Sequence, residues 1–443
     1  MQTLLRLRAG ELSGTKRLKL SCGLTEFPLE ILDLADTLEV LDLTGNRLTH
    51  LPEEFARLTH LKIAFFSDNP FTEFPAVLAQ CPALEMIGFK SCQIQYIAED
   101  GIPLNTRWLI LTNNQITELP ASIGKCHRMQ KFMLAGNLLT QLPPELASCQ
   151  NLELLRISAN QITHLPDWLF SLPRLSWLAI SGNPCNQHPH EIEDLPEISW
   201  EELELEEVLG EGASGVISRA HWNTPGAHGA PDQVAVKVFK GEVTSDGLPQ
   251  DEMQACMAAG VHPNLVQVLG KLAQHPAQKQ GLVFELIPAG YRNLGGSPSF
   301  ASCTRDVYPE GTVFTLPETL SIASGIASAA AHLHAHGIMH GDLYAHNTLV
   351  NATGHALFGD FGAATLYDKS DVKRASELER LEVRAFGCLL EDLLDHLSAE
   401  EAQKSTVASL VQLKQDCMRP EVKLRPDFTS ILERLTDAAK EVL

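Results

Sequence analysis

A unit of about 23 residues recurs through the first 195 residues of this 443-residue chain. One copy reads LEVLDLTGNRLTHLP, another TRWLILTNNQITELP and a third LELLRISANQITHLP. One position of the unit is almost always asparagine, and its occurrences are 23, 23, 22, 23, 23 and 23 residues apart: Asn46, Asn69, Cys92, Asn114, Asn137, Asn160 and Asn183. An internal period of about 20 to 50 residues predicts stacked repeats, in which neighbouring units bury a shared core.

These units resemble leucine-rich repeats, because the period, the paired leucines, the asparagine and the following proline all coincide. A shorter copy, LKLSCGLTEFP, begins at Leu18, so the resemblance implies a solenoid of about eight repeats over residues 1–195. In that family the paired leucines lie on a strand and point into the core, while the asparagine hydrogen-bonds neighbouring backbone. Cys92 cannot form the same amide hydrogen bonds, so we expect weaker contacts at that repeat.

Several strand positions that point away from the repeat core carry large apolar side chains. They are Phe65, Trp108, Ile110, Met133, Leu154 and Trp177. So many apolar groups on a concave surface predict a patch that binds a protein ligand. The alternative is that these side chains pack beside the strands or against the second domain. No set of catalytic residue types recurs with the period, so we assign the repeats no chemistry.

Composition limits the partners that the chain can have. With 44% apolar and 20% charged residues, its sequence is typical of globular proteins, and its length allows two or three domains. The formal net charge of -21 disfavours nucleic acid and anionic membranes, because most of the surface would repel a polyanion. Proteins and metal-bound nucleotides remain as expected partners.

Targeting signals and cysteine usage indicate where such a chain works. The first residues mix charged and apolar side chains and do not resemble a secretory signal. The longest uncharged run, TLSIASGIASAAAHLHAHGIMHG, is too polar to span a membrane. The ten cysteines form no CxxC pair, and Cys81, Cys126 and Cys149 share one repeat position, as small buried residues would. We therefore expect a reduced, cytoplasmic protein without a membrane span.

Residues 198–443 lack the period and form the predicted second domain, which opens with a glycine pattern. Gly210, Gly212 and Gly215 are spaced as GxGxxG, a pattern that dinucleotide-binding folds also use. Here the glycines lie between two segments with β propensity, ELEEVL and VISRAHW, and not between a strand and a helix. This arrangement favours a β-hairpin over phosphates, where backbone N–H groups can approach an anion.

Five polar residues follow the glycines in a fixed order. Lys237 lies in VAVKVFK, Glu252 in a helical segment, Asp342 and Asn347 in MHGDLYAHNTLV, and Asp360 in LFGDFGAAT. In this order they resemble the signature of eukaryotic-type protein kinases, and the likeness covers the whole second domain. The implied fold class is α/β, with a leucine-rich-repeat solenoid followed by a two-lobed α+β protein-kinase-like domain, as in cytoplasmic leucine-rich-repeat kinases.

The resemblance implies a role for each of these residues. Lys237, fixed by Glu252, would bind the α- and β-phosphates of ATP. Asp360 would bind the Mg²⁺ that bridges the phosphates, and Asn347 would supply a second metal contact. Asp342 would orient the acceptor hydroxyl and take its proton. The adenine would be bound by two strands and by the hinge segment FELI: Ile217, Ala235, Glu285 and Ile287.

Structural alternatives exist for these residues. Lys237 and Glu252 could form an ion pair that only stabilises the fold, and Asp360 could cap a turn. A group of four histidines includes a pair at i and i+4, which could ligate a metal: His332, His334, His336 and His340. The segment that carries them, AHLHAHGIMHGD, resembles the helix and turn that precede the catalytic loop of kinases.

Two catalytic-loop positions depart from the family pattern. Gly341 replaces an arginine that in many kinases pairs with a phosphorylated activation segment, so phosphate on Thr365, Tyr367 or Ser376 would lack that partner. Tyr344 replaces the lysine that serine/threonine kinases usually place against the γ-phosphate. We therefore expect slower transfer that does not depend on activation-segment phosphorylation.

Four further features bear on the acceptor site. His346, when protonated, could partly replace the missing lysine charge. About 20 residues separate Asp360 from the predicted helix LEVRAFGCLLEDLL, and the nearest match to the APE motif is ASE at 375–377. Arg425, which pairs with the glutamate of APE in the family, would find Glu377 or solvent. The segment PAGYRNLGGSPSFASCTRDVYPEGTVF is predicted as a loop, where kinases often have a helix.

The sequence therefore predicts an ATP- and Mg²⁺-dependent kinase that phosphorylates serine or threonine in a protein recruited by the repeats. Two alternatives stay open. A pseudokinase scaffold would bind nucleotide and partners without phosphotransfer, and Gly341, Tyr344 and the short activation segment favour it. A small-molecule kinase is favoured by the short activation segment, because that segment normally supplies the platform for a peptide substrate.

Overall fold

A computed structural model describes residues 2–186, 195–223 and 231–442. The chain forms two compact units. The first runs to Leu175 and includes Asn183–Cys185, and the second comprises Ser176–Gly182 and the chain from Asn186 onward. The predicted boundary at 195 follows residues 187–194, which lie outside the described residues. Ser176–Gly182, predicted as part of the repeats, belongs by its contacts to the second unit.

The first unit is the predicted leucine-rich-repeat solenoid. After helix α1 (Gln2–Arg8), strands of three residues pair in parallel, in the order in which they occur in the chain. The middle residues of these strands, such as Leu41 and Leu109, are fully buried, as the paired leucines predict. The strands are β1 (Arg17–Lys19), β2 (Val40–Asp42), β3 (Ile63–Phe65), β4 (Met86–Gly88), β5 (Trp108–Ile110), β6 (Lys131–Met133) and β7 (Leu154–Arg156).

Short 3-10 helices follow most of these strands, and each is preceded by the proline of its repeat. Proline suits this position because its fixed φ begins a helical turn and its missing N–H would have no partner there. The helices are Leu29–Leu34, Glu53–Arg57, Ala76–Gln80, Ala121–Lys125, Pro144–Ser148 and Asp167–Ser171.

The repeat asparagines tie each turn to the repeat before it. Asn137 Oδ1 accepts a hydrogen bond from Ile116 N–H at 3.1 Å, and its amide group donates to the carbonyl oxygens of Leu111 and Leu134 at 2.9 Å. These bonds give partners to buried backbone groups, which would otherwise destabilise the turn. Bonds of the same kind are formed by Asn46, Asn69, Asn114, Asn160 and Asn183.

The contacts are weaker where cysteine replaces asparagine, as expected. Cys92 Sγ lies 3.4 Å from Phe66 O and 3.7 Å from Lys90 O, and a thiol is a weak donor. By the repeat spacing, Phe71 N–H would donate to an asparagine at this position. It donates instead to Asn69 O within its own turn, at 2.9 Å.

The cysteines of the repeats have the packing role that their spacing predicts. All ten cysteines of the chain are free thiols. Cys81, Cys126 and Cys149 are buried at equivalent positions. Burial raises the pKa of the first two to about 11 and that of Cys149 to about 12. Such thiols stay protonated near neutral pH and are poor nucleophiles.

The six apolar side chains predicted for the concave surface fall into two groups. Three are half-buried: Phe65, Trp108 and Ile110. The other three are 8%, 3% and 1% exposed: Met133, Leu154 and Trp177. The second group is buried within the protein, as expected if these side chains pack beside the strands or against the second domain and do not bind a ligand. Of the six, the first three keep surface that a ligand could contact.

The upper lobe of the second unit is built on a six-stranded sheet in the order β10-β11-β12-β14-β13-β9. The pairs are antiparallel except for β9 with β13. Trp222, Val236 and Val283 lie in its apolar core. Strand β8 (Trp177–Ala179) belongs to the second unit but not to this sheet. The elements of the upper lobe are β9 (Glu197–Ser199), β10 (Leu203–Glu211), β11 (Gly215–Trp222), β12 (Gln233–Phe239), α2 (Pro249–Ala258), β13 (Val268–Ala273) and β14 (Gly281–Glu285).

The lower lobe is mainly helical, which completes the predicted two-lobed arrangement. Its short strands form a three-stranded sheet, β15-β17-β18, and a pair, β16 with β19. The elements are β15 (Arg292–Asn293), α3 (Leu316–Ala335), β16 (Ile338–Met339), β17 (Thr348–Val350), β18 (Ala356–Phe358), β19 (Thr365–Leu366), α4 (Val372–Asp395), α5 (Ser405–Cys417) and α6 (Phe428–Lys440).

Helix α3 contains most of the long uncharged segment. It begins with a capping box, in which the Thr315 side chain accepts from Glu318 N–H and the Glu318 side chain accepts from Thr315 N–H. Its apolar side, with Ile322, Ile326 and Leu333, is buried in the lower lobe. Among the described residues, no helix has the length and apolar character needed to cross a membrane.

Replacing Asn137 with cysteine, the residue found at the equivalent position 92, should lower the free energy of unfolding by about 1 to 3 kcal/mol. Ile116 N–H and two buried carbonyl oxygens would then lose their amide partner. Urea denaturation followed by circular dichroism would measure the change. Cys92→Ala is the matched control and should cost less, because it removes weaker contacts. Equal losses in the two variants would contradict the role of the asparagines.

Candidate active site

The three glycines lie at the tip of the hairpin formed by β10 and β11, as predicted. Gly210 is opposite Ile217, and Gly212 N–H donates to Gly215 O at 2.9 Å. A Cβ atom at Gly215 would lie 2.6 Å from the carbonyl oxygen of Val238, so a larger residue does not fit there. Around Gly210 and Gly212 a Cβ atom would meet nothing within 4 Å. The open space beside these backbone groups is suited to an anion.

Three of the predicted nucleotide contacts share one face of the upper sheet. Ile217 of β11 is opposite Lys237 of β12, and residues opposite each other point to the same face. Ala235 precedes Lys237 by two residues and therefore points to that face as well. Ala235 is 8% exposed and Ile217 is half-buried. The fold thus places apolar side chains next to the lysine that would bind phosphate.

The predicted hinge begins where β14 ends. Glu285 is the last residue of the strand, and its N–H donates to Gln267 O at 3.0 Å. Ile287 follows two residues later and is half-buried. Phe284, the residue before Glu285, is opposite Ala235. This pairing brings the hinge to the same end of the sheet as the predicted adenine contacts.

Lys237 of β12 and Glu252 of α2 form a buried salt bridge, and their side chains are 11% and 3% exposed. Burial alone would lower the pKa of Lys237, but the carboxylates of Glu252 and Asp360 outweigh it and raise this pKa. The lysine therefore stays charged in a largely dehydrated position. An ammonium group there can form strong charge-assisted hydrogen bonds to phosphate oxygens.

Asp342 and Asn347 contact each other in the loop between β16 and β17. Asn347 Nδ2 donates to Asp342 Oδ2 at 2.7 Å and to Asp342 O at 3.1 Å. Asp342 N–H donates to His340 Nδ1 at 3.3 Å, while His340 Nε2 donates to Gly359 O at 2.9 Å. This pattern requires a neutral imidazole, and burial indeed lowers the pKa of His340. Hydrogen bonds with residues on either side of it in the chain, His340 and Asn347, thus hold Asp342 in place.

Asp360 has left-handed backbone angles, φ 59° and ψ 79°, directly before the helical turn Phe361–Ala363. This conformation is uncommon for residues other than glycine and often marks a functional position. Asp360 Oδ1 also accepts a hydrogen bond from Gly362 N–H at 3.4 Å, which is the turn-capping role considered as an alternative. Because its charge acts on Lys237 as well, the capping role does not exclude a role in the site.

Asp360 and Asn347 have the donor atoms that a hard divalent cation prefers, a carboxylate and an amide oxygen. Gly359, next to Asp360, donates its N–H to Asn347 O at 3.4 Å, so the two residues lie on adjacent strand ends. In the described parts of the chain, no group of three or more His, Cys, Asp or Glu side chains could hold a metal alone. A cation bound with a nucleotide takes its remaining ligands from phosphates and water, and these two residues fit that kind of site.

Sequence reasoning overlooked Glu382 of α4, a fully buried carboxylate behind the catalytic loop. It accepts hydrogen bonds from the N–H groups of His340 and Gly341, at 3.2 and 2.7 Å, and from His334 Nε2 at 2.8 Å. Burial alone would raise its pKa, but these bonds hold the pKa of Glu382 below its ordinary value. The available signal was an acidic residue on the apolar side of the helix LEVRAFGCLLEDLL.

Both unusual residues of the catalytic loop have closely packed surroundings. Gly341 has a φ of 73°, and a Cβ atom there would lie 2.6 Å from the carbonyl oxygens of Leu178 and Ala363. Tyr344 is 5% exposed, and its ring stacks on that of Trp177 with centroids 4.3 Å apart. Neither residue presents a positive charge to a phosphate.

His346 lies beside Asp306, which comes from the segment after the hinge. Its Nδ1 is 2.6 Å from Asp306 Oδ1, and its N–H donates to Asp306 Oδ2 at 3.1 Å. Burial alone would lower its pKa, but the Asp306 carboxylate raises the pKa of His346. When His346 is protonated, the charge of its imidazolium is neutralised by the Asp306 carboxylate, which weakens the expectation that it replaces the missing lysine.

The imidazole rings of the four grouped histidines have different hydrogen-bond partners. His332 Nε2 contacts Ala259 O at 2.7 Å, and His336 Nδ1 contacts His332 O at 2.8 Å. His334 bridges Glu382 and the hydroxyl of Tyr367, with Nδ1 2.8 Å from the latter. Through His334, the carboxylate behind the catalytic loop is thus connected to the activation segment.

The activation segment is shorter than the sequence predicts, because α4 begins at Val372 and not near LEVRAF. The ASE triplet at 375–377 lies inside α4 and does not form a platform ahead of it. Thr365 and Tyr367 are 0% and 4% exposed. Few residues are therefore left between Asp360 and α4 to contact a peptide.

Arg425 is not left to solvent, since it is 1% exposed. Its guanidinium donates to Arg419 O at 2.8 Å and to Arg380 O at 3.0 Å. Glu377, its predicted partner, lies 3.0 Å from the guanidinium of Arg374. These contacts join α4 to the segment before α6.

The segment 288–314 contains β15 but no helix, and it is anchored on α4. Arg305 binds Glu391 at 2.7 Å and also pairs with Asp392. Tyr308 donates its hydroxyl to Asp392 Oδ2 at 3.4 Å. Because Asp306 lies between these two anchors and holds His346, the segment also supports the catalytic loop.

Family profiles match both units. The profile of protein tyrosine and serine/threonine kinases matches residues 203–387, and leucine-rich-repeat profiles match residues 37–58 and 127–184. A solved structure of a leucine-rich-repeat protein from Leptospira interrogans aligns with 29% identity over 40% of this chain and 46% of that chain. Its TM-score of 0.37 is too low to inform the fold.

Several curated relatives match at low identity. The serine/threonine-protein kinase PkaA of Streptomyces coelicolor is 27% identical over 285 residues, which cover 54% of this chain and 50% of that protein. The serine/threonine-protein kinase STY46 of Arabidopsis thaliana is 26% identical, covering 47% and 41%. The probable serine/threonine-protein kinase gdt4 of Dictyostelium discoideum is 25% identical, covering 54% and 16%. The match thus spans half or less of each relative.

Replacing Glu382 with alanine should lower the free energy of unfolding by about 3 to 5 kcal/mol, because two buried N–H groups and His334 would lose their acceptor. Urea denaturation of the full chain would measure the loss. Asp395→Ala, an exposed carboxylate at the end of the same helix, is the control and should change stability by about 0.5 kcal/mol or less. Equal stability of the two variants would contradict the role of Glu382.

Proposed function

We propose that this chain, in which leucine-rich repeats precede a protein kinase domain, transfers the γ-phosphate of ATP to serine or threonine side chains of another protein. The proposal rests on one observation: two contacts that phosphoryl transfer requires are both formed in the same site. Lys237 is paired with Glu252, and Asn347 is hydrogen-bonded to Asp342. A domain that had lost its chemistry would have no requirement to keep both.

Phosphoryl transfer depends mainly on alignment and on neutralising charge, and each residue contributes one of these. ATP with Mg²⁺ supplies the phosphoryl group and part of the neutralising charge. Lys237 binds phosphate oxygens, and Asp360 and Asn347 bind the cation. Asp342, oriented by the amide of Asn347, receives the proton of the acceptor hydroxyl. The serine or threonine acceptor is supported by the names of the relatives.

We infer that this kinase is slow. Tyr344 carries no positive charge and is stacked on Trp177, and the charge of a protonated His346 would be neutralised by Asp306. The short activation segment also leaves little surface for a peptide. The repeats offset this weakness by recruiting the substrate protein, because tethering raises its local concentration. Phe65, Trp108 and Ile110, which are half-buried, would contribute to that contact.

The purified full chain, incubated with Mg²⁺, ATP labelled at the γ-phosphate and a generic protein substrate, should incorporate label into serine or threonine, identified by acid hydrolysis. Asp342→Asn should lower kcat by about 10² to 10⁴-fold while ATP affinity stays within a few fold, because the variant lacks the base but keeps the nucleotide contacts. Asp360→Asn and chelation of Mg²⁺ should both weaken ATP binding, measured by calorimetry. Asp395→Asn, on the surface of α4, should behave as wild type.

Three outcomes would contradict this proposal in different ways. ATP binding without transfer in the wild type would identify a pseudokinase scaffold. Label recovered in small molecules but not in proteins would identify a small-molecule kinase. Transfer that survives Asp342→Asn and Asp360→Asn would mean that the chemistry lies elsewhere or comes from a contaminating kinase.

Transfer should not require phosphorylation of the activation segment. Thr365 and Tyr367 are buried, and Gly341 offers no guanidinium to a phosphate. Phosphatase treatment followed by removal of the phosphatase should leave the initial rate unchanged, with mass spectrometry confirming that both residues are unmodified. A loss of tenfold or more that returns after incubation with ATP would contradict this expectation.

A further inference from the structure

The segment Ser176–Gly182, called here the bracing segment, combines a repeat sequence with kinase contacts. In sequence it is the strand of the last repeat, LSWLAISGN, with Asn183 at the repeat asparagine position. By its contacts it belongs to the second unit, while the residues before and after it belong to the first. Its residues contact the catalytic loop, β19, α4 and α2, each of which helps to form the site.

Trp177 is the centre of the bracing segment. Its ring is 1% exposed and stacks on Tyr344, with planes 7° apart and centroids separated by 4.3 Å. Its indole N–H donates to Leu343 O at 3.0 Å. Leu343 and Tyr344 directly follow Asp342, so one side chain of the bracing segment contacts the two residues after the proposed base by stacking and by hydrogen bonding.

The next residue of the segment explains the glycine at 341. A Cβ atom at Gly341 would lie 2.6 Å from Leu178 O, closer than real Cβ contacts. An arginine at this position, as many kinases have, cannot coexist with the bracing segment where it lies. Ala363 O lies equally close to that Cβ position, and the φ of 73° also favours glycine. The packing of Leu178 and Ala363 thus accounts for Gly341, and the glycine does not by itself indicate lost activity.

Both ends of the bracing segment are also fixed to elements of the site. Arg384 of α4 donates to Ser176 Oγ at 2.7 Å. Ile180 N–H donates to Thr365 Oγ1 at 3.3 Å in the activation segment. Ser181 hydrogen-bonds the carboxylate of Asp251, the residue before Glu252 on α2. The seven residues thus connect the parts that position Glu252, Asp342 and Asp360.

We propose that the bracing segment holds the catalytic loop in its working geometry, with Trp177 as a positioning residue that acts through Leu343 and Tyr344. This inference rests on the proposed kinase function and extends it to the way in which the site is kept active. In this protein, the carbonyl oxygen of Leu178 lies where a side chain at position 341 would begin, and the indole of Trp177 contacts Leu343 and Tyr344. The support comes from the same chain and needs no separate partner.

The test compares three variants of the full chain with the wild type. Trp177→Ala removes the stack and the hydrogen bond, and Trp177→Phe keeps an aromatic ring but removes the N–H donor. Trp168→Ala is the matched control, since Trp168 lies in the same repeat, is half-buried and belongs to the first unit. Thermal melting establishes that each variant is folded. Hydrogen exchange of peptides covering 338–350, kcat and KM for ATP are then measured.

The expected result is a selective change in the catalytic loop. Amides of 341–347 should exchange at least tenfold faster in Trp177→Ala and less so in Trp177→Phe, while Trp168→Ala leaves them unchanged. In Trp177→Ala, kcat should fall by about 10- to 100-fold, because a displaced base aligns the acceptor poorly. KM for ATP should stay within twofold, since Lys237 and the glycine hairpin are untouched. Trp177→Phe should recover part of kcat.

Unchanged exchange of 341–347 in both Trp177 variants overturns the inference, whatever the kinase activity. Faster exchange with wild-type kcat also overturns it, because the loop would then not need the support. If Trp177→Ala does not fold, Trp177→Phe decides by the same two criteria. If exchange is faster in Trp177→Ala but the wild-type protein transfers no phosphate, the brace is supported and the proposed kinase function is overturned, so the two failures are distinguishable.

Discussion

The geometry of the candidate site depends on one buried charge, the carboxylate of Glu382. A carboxylate in a dehydrated position is stable only when hydrogen bonds replace its water, and here two backbone N–H groups and His334 do so. Those two N–H groups belong to His340 and Gly341, which precede Asp342. Because Glu382 accepts these hydrogen bonds from the backbone of the catalytic loop, movement of the loop would leave the Glu382 carboxylate unpaired in the core. The position of Asp342 thus follows from the solvation requirement of Glu382.

The opposite side of the loop has a different kind of support. Trp177 and Leu178 contact Tyr344 and Gly341 by stacking and by close backbone approach, where no charge is involved. Both departures from the family pattern therefore contact the same strand, because the glycine leaves room for its backbone, and for that of Ala363, while the flat ring of Tyr344 stacks on the indole. As proposed, a loop fixed in this way would need no phosphate on the activation segment, where Thr365 is buried and accepts a hydrogen bond from Ile180 N–H.

Sequence reasoning succeeded where the signal was periodic or ordered along the chain. The asparagine spacing predicted the solenoid. The position of the glycines between two β segments predicted a β-hairpin and disfavoured the strand and helix of a dinucleotide-binding fold. Sequence reasoning failed where a feature depends on tertiary contacts or on the exact length of a helix. The ASE triplet lies inside α4, because no proline or glycine between Val372 and LEVRAF interrupts the helix. The contacts of Trp177 and Glu382 join residues far apart in the chain, and no local pattern indicates such pairs.

If the brace holds the site in place as proposed, control would pass to what reaches the site. In the proposed kinase, the missing lysine charge lowers the rate for every acceptor equally, and the short activation segment provides few contacts that would select one peptide over another. Selection then passes to the repeats, because a flexibly tethered partner can reach effective concentrations of about a millimolar, far above those of free proteins. Slow chemistry increases this selectivity, since a protein that meets the site only by diffusion dissociates before transfer, whereas a bound one remains.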